Sequence, residues 1–323
     1  MRSTPVRTAP WKSTPSKIYV QQKHSFPDMP QPPPYSYKNS VKSDVSDEPV
    51  NIFLQRPIAG IVTRVVYCTP VTPNQLTIVA VLLGMAGGIF LALPDAQLKA
   101  AALCCYLKDI FDSADGQLAR AKQLYSRSGR FLDSIGDYVV DLFLFGGIVV
   151  FLLRSGMQVH YALLIGCAGF LGVSLRVSYH VFYQTSYLHR KRTYEINRIT
   201  EELREEDYFQ DAELLRLQKI FYFLYGWQDR LMNRIDSWCV KSAKGIDESL
   251  MAEWYQDAAG LLLGGFLGFG TEFVLLTICL LVGNIRLYLY LSIVVLNCVW
   301  LSAVLYRKLF LAGKISASAG GKK

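Results

Sequence analysis

The chain has 323 residues, of which 51% are apolar, and carries a formal net charge of +8. Its mean hydropathy is positive, which exceeds the range of ordinary soluble domains and indicates segments in contact with lipid. The basic residues are scattered among long apolar runs instead of forming one polar module, which argues against a nucleic-acid-binding protein. The seven cysteines lack metal-ligand spacing, and we interpret them as free thiols.

The amino-terminal segment, residues 1–49, is rich in Pro, Ser, Thr and Lys and shows no apolar period. Such a segment cannot bury enough surface to offset the conformational entropy lost on ordering. We therefore expect a disordered cytoplasmic tail that is dispensable for activity. The first apolar run follows this long polar segment instead of a short basic start, so we expect no cleaved secretory signal.

Residues 50–182 are predicted to form a surface helix and the first four membrane spans. Apolar residues in 50–66 recur at helical spacing around Arg56 and Arg64, which is typical of an amphipathic helix at the membrane surface. Thr72, Pro73 and Asn74 are a helix-start signal. Four apolar stretches are long enough to cross a bilayer: 76–93, 159–182, 258–282 and 287–306. Arg176 and Glu272 interrupt two of these stretches and need partners.

Residues 98–153 leave room for two further spans that carry an unusual number of aspartates. The predicted fold is therefore an all-α membrane bundle of six transmembrane helices, with spans five and six in 258–313 and a flexible basic tail in 314–323. Residues 183–257 are charged, rich in helix formers and too long for a turn, which predicts a cytoplasmic helical insertion. Its apolar face fits an interfacial helix or a helix packed on its own hairpin.

The orientation follows from cations near the span ends, which stay on the cytoplasmic side. Most of these cations follow spans two, four and six: Arg120, Lys122, Arg127, Arg130, Arg190, Lys191, Arg192, Arg307, Lys308 and Lys314. The opposite connections hold only Lys99, Arg154 and Arg286. We therefore expect both termini and the aspartate-rich turn to face the cytoplasm, in a protein of the plasma (inner) membrane.

Two helix faces in this aspartate-rich region carry the predicted chemistry. At about 100° per residue, one face of the second span presents these four residues: Asp112, Asp115, Gly116 and Ala119. Gly129, Asp133 and Asp137 are spaced by four and share a face of the third span. A short turn makes the two helices antiparallel, so that the acidic faces meet.

Facing carboxylates in lipid repel one another unless cations neutralise them, and hard oxygen ligands favour Mg²⁺, Mn²⁺ or Ca²⁺. Two such ions would clamp a pyrophosphate and leave one carboxylate to accept a proton from an attacking hydroxyl. Gly116, Ala119 and Gly129 would let a base and a sugar approach the backbone. Tight helix packing explains these small residues equally well.

The pattern D-x2-D-G-x2-A-R-x8-G-x3-D-x3-D fits without a mismatch at Asp112, Asp115, Gly116, Ala119, Arg120, Gly129, Asp133 and Asp137. In this the chain resembles the CDP-alcohol phosphotransferase (CDP-alcohol phosphatidyltransferase) family, over roughly residues 50–310 apart from the insertion. The resemblance also covers the plan of six spans with a cytoplasmic active site.

The resemblance implies roles for individual residues. Asp112, Asp115 and Asp133 are the main ligands of Mg²⁺ or Mn²⁺, and Asp137 lies near the metals as the general base. The nucleotide is bordered by Gly116, Ala119, Gly129 and Asn74, with Arg120 close to the phosphates. The family also implies a homodimer. Asp109 and Asp141 lie outside the pattern and are expected to make hydrogen bonds or to pair with Lys108 and Arg176.

The resemblance implies an enzyme of phospholipid biosynthesis that moves a substituted phosphate group from a CDP-linked lipid, CDP-diacylglycerol, to a small alcohol acceptor. A small CDP-alcohol donor with a lipid hydroxyl acceptor is the alternative. From another class, a cation transporter would also carry acids within the membrane, but its acids would run through several helices. A non-catalytic scaffold would not need all four aspartates.

Overall fold

The computed structural model describes residues 34–41, 46–95, 97–191, 201–243 and 248–321, and within these ranges the chain is helical without a strand. The α-helices are α1 Tyr37–Ser40, α2 Arg56–Tyr67, α3 Pro73–Ala92, α4 Leu98–Ala121, α5 Arg127–Arg154, α6 Val159–Arg190, α7 Ala212–Val240, α8 Glu248–Gln256, α9 Ala258–Gly265, α10 Phe269–Leu281, α11 Ile285–Tyr290, α12 Asn297–Leu305 and α13 Ala312–Gly321. Short π-helical turns at Asn51–Gln55, Leu291–Leu296 and Tyr306–Leu311 join neighbouring helices.

Five stretches of the described chain are helical, long and apolar enough to cross a membrane: Pro73–Ala92, Arg127–Arg154, Val159–Arg190, Leu250–Leu281 and Ile285–Ala317. They indicate an integral membrane protein. The predicted number was six. The difference is α4. It has 24 residues, but it carries Lys108, Asp109, Asp112 and Asp115 and is therefore not apolar enough to count among these five stretches.

The first span begins where the sequence predicts. Thr72 accepts a hydrogen bond from the backbone N–H of Gln75, and the Gln75 side chain accepts one from the backbone N–H of Thr72. Pro73 occupies the first turn, where its missing N–H costs nothing. This capping box fixes the amino-terminal end of α3 next to the ends of α4 and α5 that carry the aspartates.

Close packing among α3, α4 and α5 sets the geometry of the site. A Cβ atom on Gly147 of α5 would stand 2.2 Å from the carbonyl oxygen of Gly88 on α3, so the two backbones touch. Ala101 and Cys105 of α4 are fully buried in the same apolar core as Leu91 of α3. Helices this close hold the polar side chains at the ends that carry the aspartates in fixed positions.

The amino-terminal segment is ordered in part, which differs from the expected tail. Tyr35 donates a hydrogen bond from its hydroxyl to the carbonyl oxygen of Gly60, and Asp47 forms an ion pair with Arg56. The Gln184 side chain donates to the carbonyl oxygen of Ser46. The expectation of disorder therefore fails for 35–41 and 46–49, because these residues find partners on distant helices that composition alone does not reveal. Residues 1–33 and 42–45 lie outside the described residues.

The fifth predicted span, 258–282, is two helices that meet at Phe266–Gly268. Glu48 explains the new helix start, because its carboxylate accepts hydrogen bonds from the backbone N–H and the hydroxyl of Thr271 in the first turn of α10. A Cβ atom on Gly268 would stand 2.1 Å from Oε1 of Glu48. The glycine therefore leaves room for this carboxylate.

The insertion contains α7, which packs on the bundle and not on a hairpin of its own. Tyr225 donates from its hydroxyl to the carbonyl oxygen of Ser134 on α5 at 2.8 Å. Asp236 accepts three hydrogen bonds, from Tyr183 of α6 and from Trp254 and Tyr255 of α8. These contacts join α7 to α6, which precedes it, and to α8, which follows it.

Arg176 and Glu272 are partners of each other, which satisfies the predicted need. The Arg176 guanidinium lies 2.8 Å from Oε2 of Glu272, and it also donates to the backbone and hydroxyl oxygens of Ser292. Tyr288 completes the group by donating to Oε1 of Glu272. The two charges are therefore paired, which offsets the cost of placing them inside the apolar bundle.

Candidate metal centre and nucleotide site

Three of the four predicted aspartates meet between α4 and α5. One carboxylate oxygen from each of Asp112, Asp133 and Asp137 lies within 4.8 Å of the others. A short turn at 122–126 brings the helices together, and Gln123 within it adopts a left-handed backbone with φ of 56°. The helical spacing and the tight turn therefore bring together the faces that the sequence predicts.

Asp115 faces a different partner. Its Oδ2 accepts a hydrogen bond of 2.5 Å from the hydroxyl of Thr77 on α3, and its side chain is buried. Its carboxylate lies within range of electrostatic repulsion from Asp112 and Asp137. It belongs to the same acidic cluster but not to the set of three converging oxygens.

Lys108 lies within the cluster and is fully buried. Its ammonium donates to Oδ1 of Asp137 at 2.6 Å and lies 3.3 Å from Oδ1 of Asp112. We expected Lys108 to pair with Asp109 and Arg176 to pair with Asp141. Lys108 instead pairs with Asp112 and Asp137, and Arg176 pairs with Glu272. Asp109 follows Lys108 directly and points to another side of the helix, whereas Asp112 lies one turn away on the same side.

The residues predicted to border a nucleotide lie on α3, α4 and α5, of which α4 and α5 also carry the acidic cluster. A Cβ atom on Gly129 would stand 3.0 Å from Oδ1 of Asn74, so the Asn74 amide lies against this glycine. A Cβ atom on Gly116 would stand 3.3 Å from the Arg120 guanidinium. Ala119 is half-buried on the same helix. Each glycine thus leaves space beside its backbone, next to a polar side chain that could contact a nucleotide: Asn74 beside Gly129, and Arg120 beside Gly116.

Arg120 is held by the amino-terminal segment. Its Nε donates to the carbonyl oxygen of Ser40 at 2.5 Å, and Ser40 itself is fully buried. The guanidinium is therefore oriented by α1 and lies along Gly116. This orientation depends on residues that precede the predicted surface helix.

The insertion reaches the amino-terminal end of α5 through carboxylates. Glu201 forms ion pairs with both Arg127 and Arg130, and Asp207 lies 3.5 Å from Arg127. Glu201 is 1% exposed. On α7, burial raises the pKa of Asp229 to about 6, although the nearby Arg130 guanidinium opposes that rise. The arginines beside Gly129 are therefore neutralised by the protein itself.

The donor set fits a hard divalent cation. All three converging atoms are carboxylate oxygens, which Mg²⁺ and Mn²⁺ prefer. Oδ1 of Asp133 is buried and has no hydrogen-bond donor within the part of the chain that the structure describes. A buried acceptor without a donor is unfavourable, and a cation would remove that cost.

Four residues of the site were not predicted in these roles: Lys108, Thr77, Glu201 and Tyr225. Lys108 carries a local signal, because it precedes Asp112 by four residues. Thr77 lies one helical turn after Pro73 in α3, and its contact with Asp115 is set by the packing of α3 on α4. Glu201 and Tyr225 carry no such signal, since their partners are 71 to 91 residues away.

Comparison with known proteins gives a match to one family. Residues 70–194 match the family model described as CDP-alcohol phosphatidyltransferase. This range contains the whole motif from Asp112 to Asp137, together with Asn74 and Thr77.

Two curated relatives carry the same name, bifunctional IPC transferase and DIPP synthase. The protein from Thermococcus kodakarensis is 41% identical over 71 residues, and the one from Archaeoglobus fulgidus is 37% identical over 84 residues. The alignments cover 22% and 25% of this chain and 16% of each relative. The similarity therefore concerns one segment and not the relatives as a whole.

Proposed function

We propose that the protein transfers a substituted phosphate group from a CDP-linked donor to an acceptor hydroxyl and releases CMP, because residues 70–194 match the family model described as CDP-alcohol phosphatidyltransferase. The observation that carries the proposal is the convergence of Asp112, Asp133 and Asp137 within 4.8 Å. The names of both relatives include a transferase, which supports the same class of reaction.

The acidic cluster would hold Mg²⁺ or Mn²⁺ mainly through Asp112, Asp115 and Asp133, with Asp137 near the ions. The motif favours two divalent ions. When bound, a divalent ion supplies positive charge that stabilises the oxygens of the transferring phosphate.

The protein's own groups bind and orient the substrates. Asn74, Gly116, Ala119 and Gly129 would line the cytidine nucleotide, where a missing or small side chain lets the base approach the helices. Arg120 would meet the phosphates, because its guanidinium is held along Gly116.

Asp137 would act as general base and accept the proton of the acceptor hydroxyl. Its Oδ1 accepts the hydrogen bond of Lys108, which orients the carboxylate and leaves Oδ2 for the acceptor.

For the substrates we propose CDP-diacylglycerol as donor and a small polar alcohol as acceptor, in phospholipid biosynthesis. A small CDP-alcohol with a lipid hydroxyl acceptor is the alternative. We also propose a homodimer in the plasma membrane, on the basis of the family resemblance.

For the membrane arrangement we propose six spans, with α4 as the second. Its amino-terminal half supports this, because Ala101, Ala102 and Cys105 are fully buried among residues of the clear spans. The amphipathic surface helix is supported by side chains on one side of 50–67 that remain exposed, with Phe53 at 81% and Val65 at 71%. Both termini and the insertion 183–257 would face the cytoplasm, where the basic flanks lie.

The test uses the purified full chain in detergent with labelled CDP-diacylglycerol, Mg²⁺ and a panel of phosphorylated and unphosphorylated alcohols. A parallel arm supplies a small CDP-alcohol with diacylglycerol. Release of CMP with formation of a new lipid is the expected result, and the productive arm identifies the donor. Cation flux through proteoliposomes without CMP release would instead favour a transporter.

The variants Asp133→Asn and Asp137→Asn separate the proposed roles. Asp133→Asn should lose activity and metal affinity together, because it removes a ligand charge. Asp137→Asn should lose activity by roughly 100-fold or more while keeping most donor binding, since an amide cannot accept the proton. Asp95→Asn, at an exposed loop position, is the matched control. Near-normal turnover of Asp133→Asn would refute the site.

A further inference from the structure

One side of α7 stays exposed although the helix packs on the bundle. Phe223 is 81% exposed and Trp238 is 49% exposed. The large apolar side chains on this side are Ile220, Phe223, Trp227 and Trp238. The exposed cations among them are Arg216, Lys219, Arg230, Arg234 and Lys241. From position 216 to position 241 no exposed side chain is acidic. We refer to these apolar and basic residues as the α7 stripe.

Helical spacing explains why these residues share one side. They recur mostly at intervals of three or four positions, so at about 100° per residue the apolar and basic members fill overlapping sectors of the helix. The other side of α7 packs on the bundle, where the centres of the Phe221 and Phe131 rings lie 5.1 Å apart and Tyr225 donates to Ser134. The bundle therefore leaves the α7 stripe free for another partner.

No carboxylate forms an ion pair with the cations of the α7 stripe among the residues that the structure describes. Arg230 donates to the hydroxyl of Tyr222 at 2.7 Å, and the ammonium of Lys219 lies 5.4 Å from the centre of the Tyr208 ring. Both of these partners are neutral. Cations beside exposed aromatic rings are typical of a membrane interface, because the rings enter the acyl boundary while the cations reach headgroup oxygens.

The contacts of α7 place it beside span ends that lie on one side of the membrane. Ser134 lies about two turns after the start of α5, and Tyr183, which donates a hydrogen bond to α7, lies about two turns before the end of α6. These helices are antiparallel neighbours, so the start of α5 and the end of α6 share one side. Lys308, which lies over the Trp238 ring of α7, is near the end of the last apolar stretch and shares that side by the same alternation.

The length of α6 shows that α7 lies at the level of the lipid headgroups. α6 has 32 residues, which is about 48 Å at 1.5 Å per residue and exceeds a hydrocarbon core of about 30 Å. It begins with the exposed apolar side chains of Val159 and Tyr161. The excess length therefore lies at its other end, where Tyr183 contacts α7.

The carboxy-terminal part of the α7 stripe contains a shallow cavity. Its volume is about 260 Å³, and it is lined by Asn233, Arg234, Ser237, Trp238 and Lys241. The Lys308 ammonium lies 3.0 Å from the centre of the Trp238 ring, which adds a further cation beside the cavity. Such cations and a hydroxyl suit the phosphate and carboxylate oxygens of a headgroup, and an indole ring suits the boundary between headgroup and acyl chain.

We propose that the α7 stripe binds anionic phospholipids, with headgroup oxygens on Arg234, Ser237 and Lys241 and acyl chains against Phe223 and Trp227. Charge complementarity selects an anionic lipid, because every charge of the stripe is positive. A second copy of the chain fits less well, since a symmetric contact would bring the same cations together. The proposal concerns how the insertion meets the membrane and goes beyond the transferase chemistry.

The test uses the full chain in nanodiscs of phosphatidylcholine mixed with phosphatidylserine. In one sample the phosphatidylserine carries brominated acyl chains, which quench tryptophan fluorescence on contact, and in the other the phosphatidylcholine carries them at the same mole fraction. The loss of signal in Trp238→Phe isolates the fluorescence of Trp238. Brominated phosphatidylserine should quench Trp238 more strongly than brominated phosphatidylcholine. Trp254, which is fully buried and is isolated by Trp254→Phe, should be quenched by neither.

Charge variants test the source of the preference. Arg234→Gln and Lys241→Gln should each lower the preference for phosphatidylserine by up to about fivefold, the value of one basic residue near an anionic surface. Added salt should lower the preference as well. Arg204→Gln is the matched control, because Arg204 is an exposed cation of the same insertion that pairs with Glu206. It should keep the wild-type preference.

Equal quenching of Trp238 by the two brominated lipids in the wild type would overturn the proposal. So would a Trp238 that neither lipid quenches, including one covered by a second copy of the chain. A preference that survives in the folded double variant Arg234→Gln, Lys241→Gln would also overturn it, and the single variants decide if the double variant does not fold. CMP release is not part of the readout, so these outcomes leave the proposed transferase function untouched.

Discussion

The substitution Glu201→Gln tests how the insertion is held beside the site. Glu201 is 1% exposed and is the shared carboxylate of Arg127 and Arg130, two residues on the first turn of α5. Replacing it by the isosteric amide removes the negative charge and keeps one acceptor oxygen. Both arginines therefore lose the charge of Glu201: one also loses its hydrogen bond to this side chain, while the other keeps a neutral hydrogen bond.

The magnitude follows from these contacts. A hydrogen bond to a charged group contributes about 1.5–3 kcal/mol, so losing one and weakening the other costs roughly 3–5 kcal/mol in a fully buried pair. The two arginine side chains are 15% and 26% exposed, so water replaces part of the lost interaction. We therefore expect about 2–3 kcal/mol, which corresponds to a roughly 30- to 150-fold larger population of the undocked segment.

Hydrogen–deuterium exchange of the purified protein measures this opening directly. Backbone amides in 201–211 should lose protection by that factor in Glu201→Gln, while amides in α3 keep the wild-type rate, because the change is local. Glu205→Gln is the matched control, since Glu205 is an exposed residue of the same segment. Equal protection in Glu201→Gln and wild type, or equal losses in both variants, would refute the reasoning.

Two further predictions concern the amino-terminal segment. Deleting residues 1–33 should leave the melting temperature unchanged. Deleting residues 1–47 should lower both the melting temperature and the activity, because the Arg56–Asp47 pair and the Arg120–Ser40 contact are lost. Identical thermal-shift and CMP-release results for the two truncations would contradict this. Burial, and then the charge of Asp47, raises the pKa of Glu48 from 4.5 to about 7, so its contribution to stability, of the order of 3 kcal/mol, is full below pH 4.5 and is lost as the pH rises through 7. Thermal unfolding from pH 5 to 8 should show this decline in the wild type and a flatter profile in Glu48→Gln; parallel profiles would count against it.

The sequence predicts the core of the site because its pattern is local. Helical spacing places Asp133 and Asp137 on one face, and the tight turn after Ala121 directs that face towards Asp112. The start of α3 follows from Thr72 and Pro73 for the same reason, since a helix cap involves only adjacent residues. Such features depend on a few consecutive positions that can be read without knowledge of the fold.

Other features depend on contacts between distant residues, and the sequence carries no pattern for them. The apolar run 258–282 reads as one continuous helix, yet Glu48 caps a new helix start within it. The composition of 1–49 indicates disorder, because it cannot show that Ser40 and Ser46 meet Arg120 and Gln184. The pairing of Lys108 with Asp137 across two helices is likewise set by tertiary packing.

The contact between Glu48 and Thr271 has a consequence for biosynthesis, because 223 residues separate its two partners. At translation rates of about 5–20 residues per second, Glu48 leaves the ribosome roughly 10–45 s before Thr271. During that interval the amino-terminal segment lacks its last docking position, and three of the five apolar stretches can insert before it is available. The segment therefore reaches its final position only after α10 has been synthesised, so its docking marks the late completion of the bundle and not its beginning.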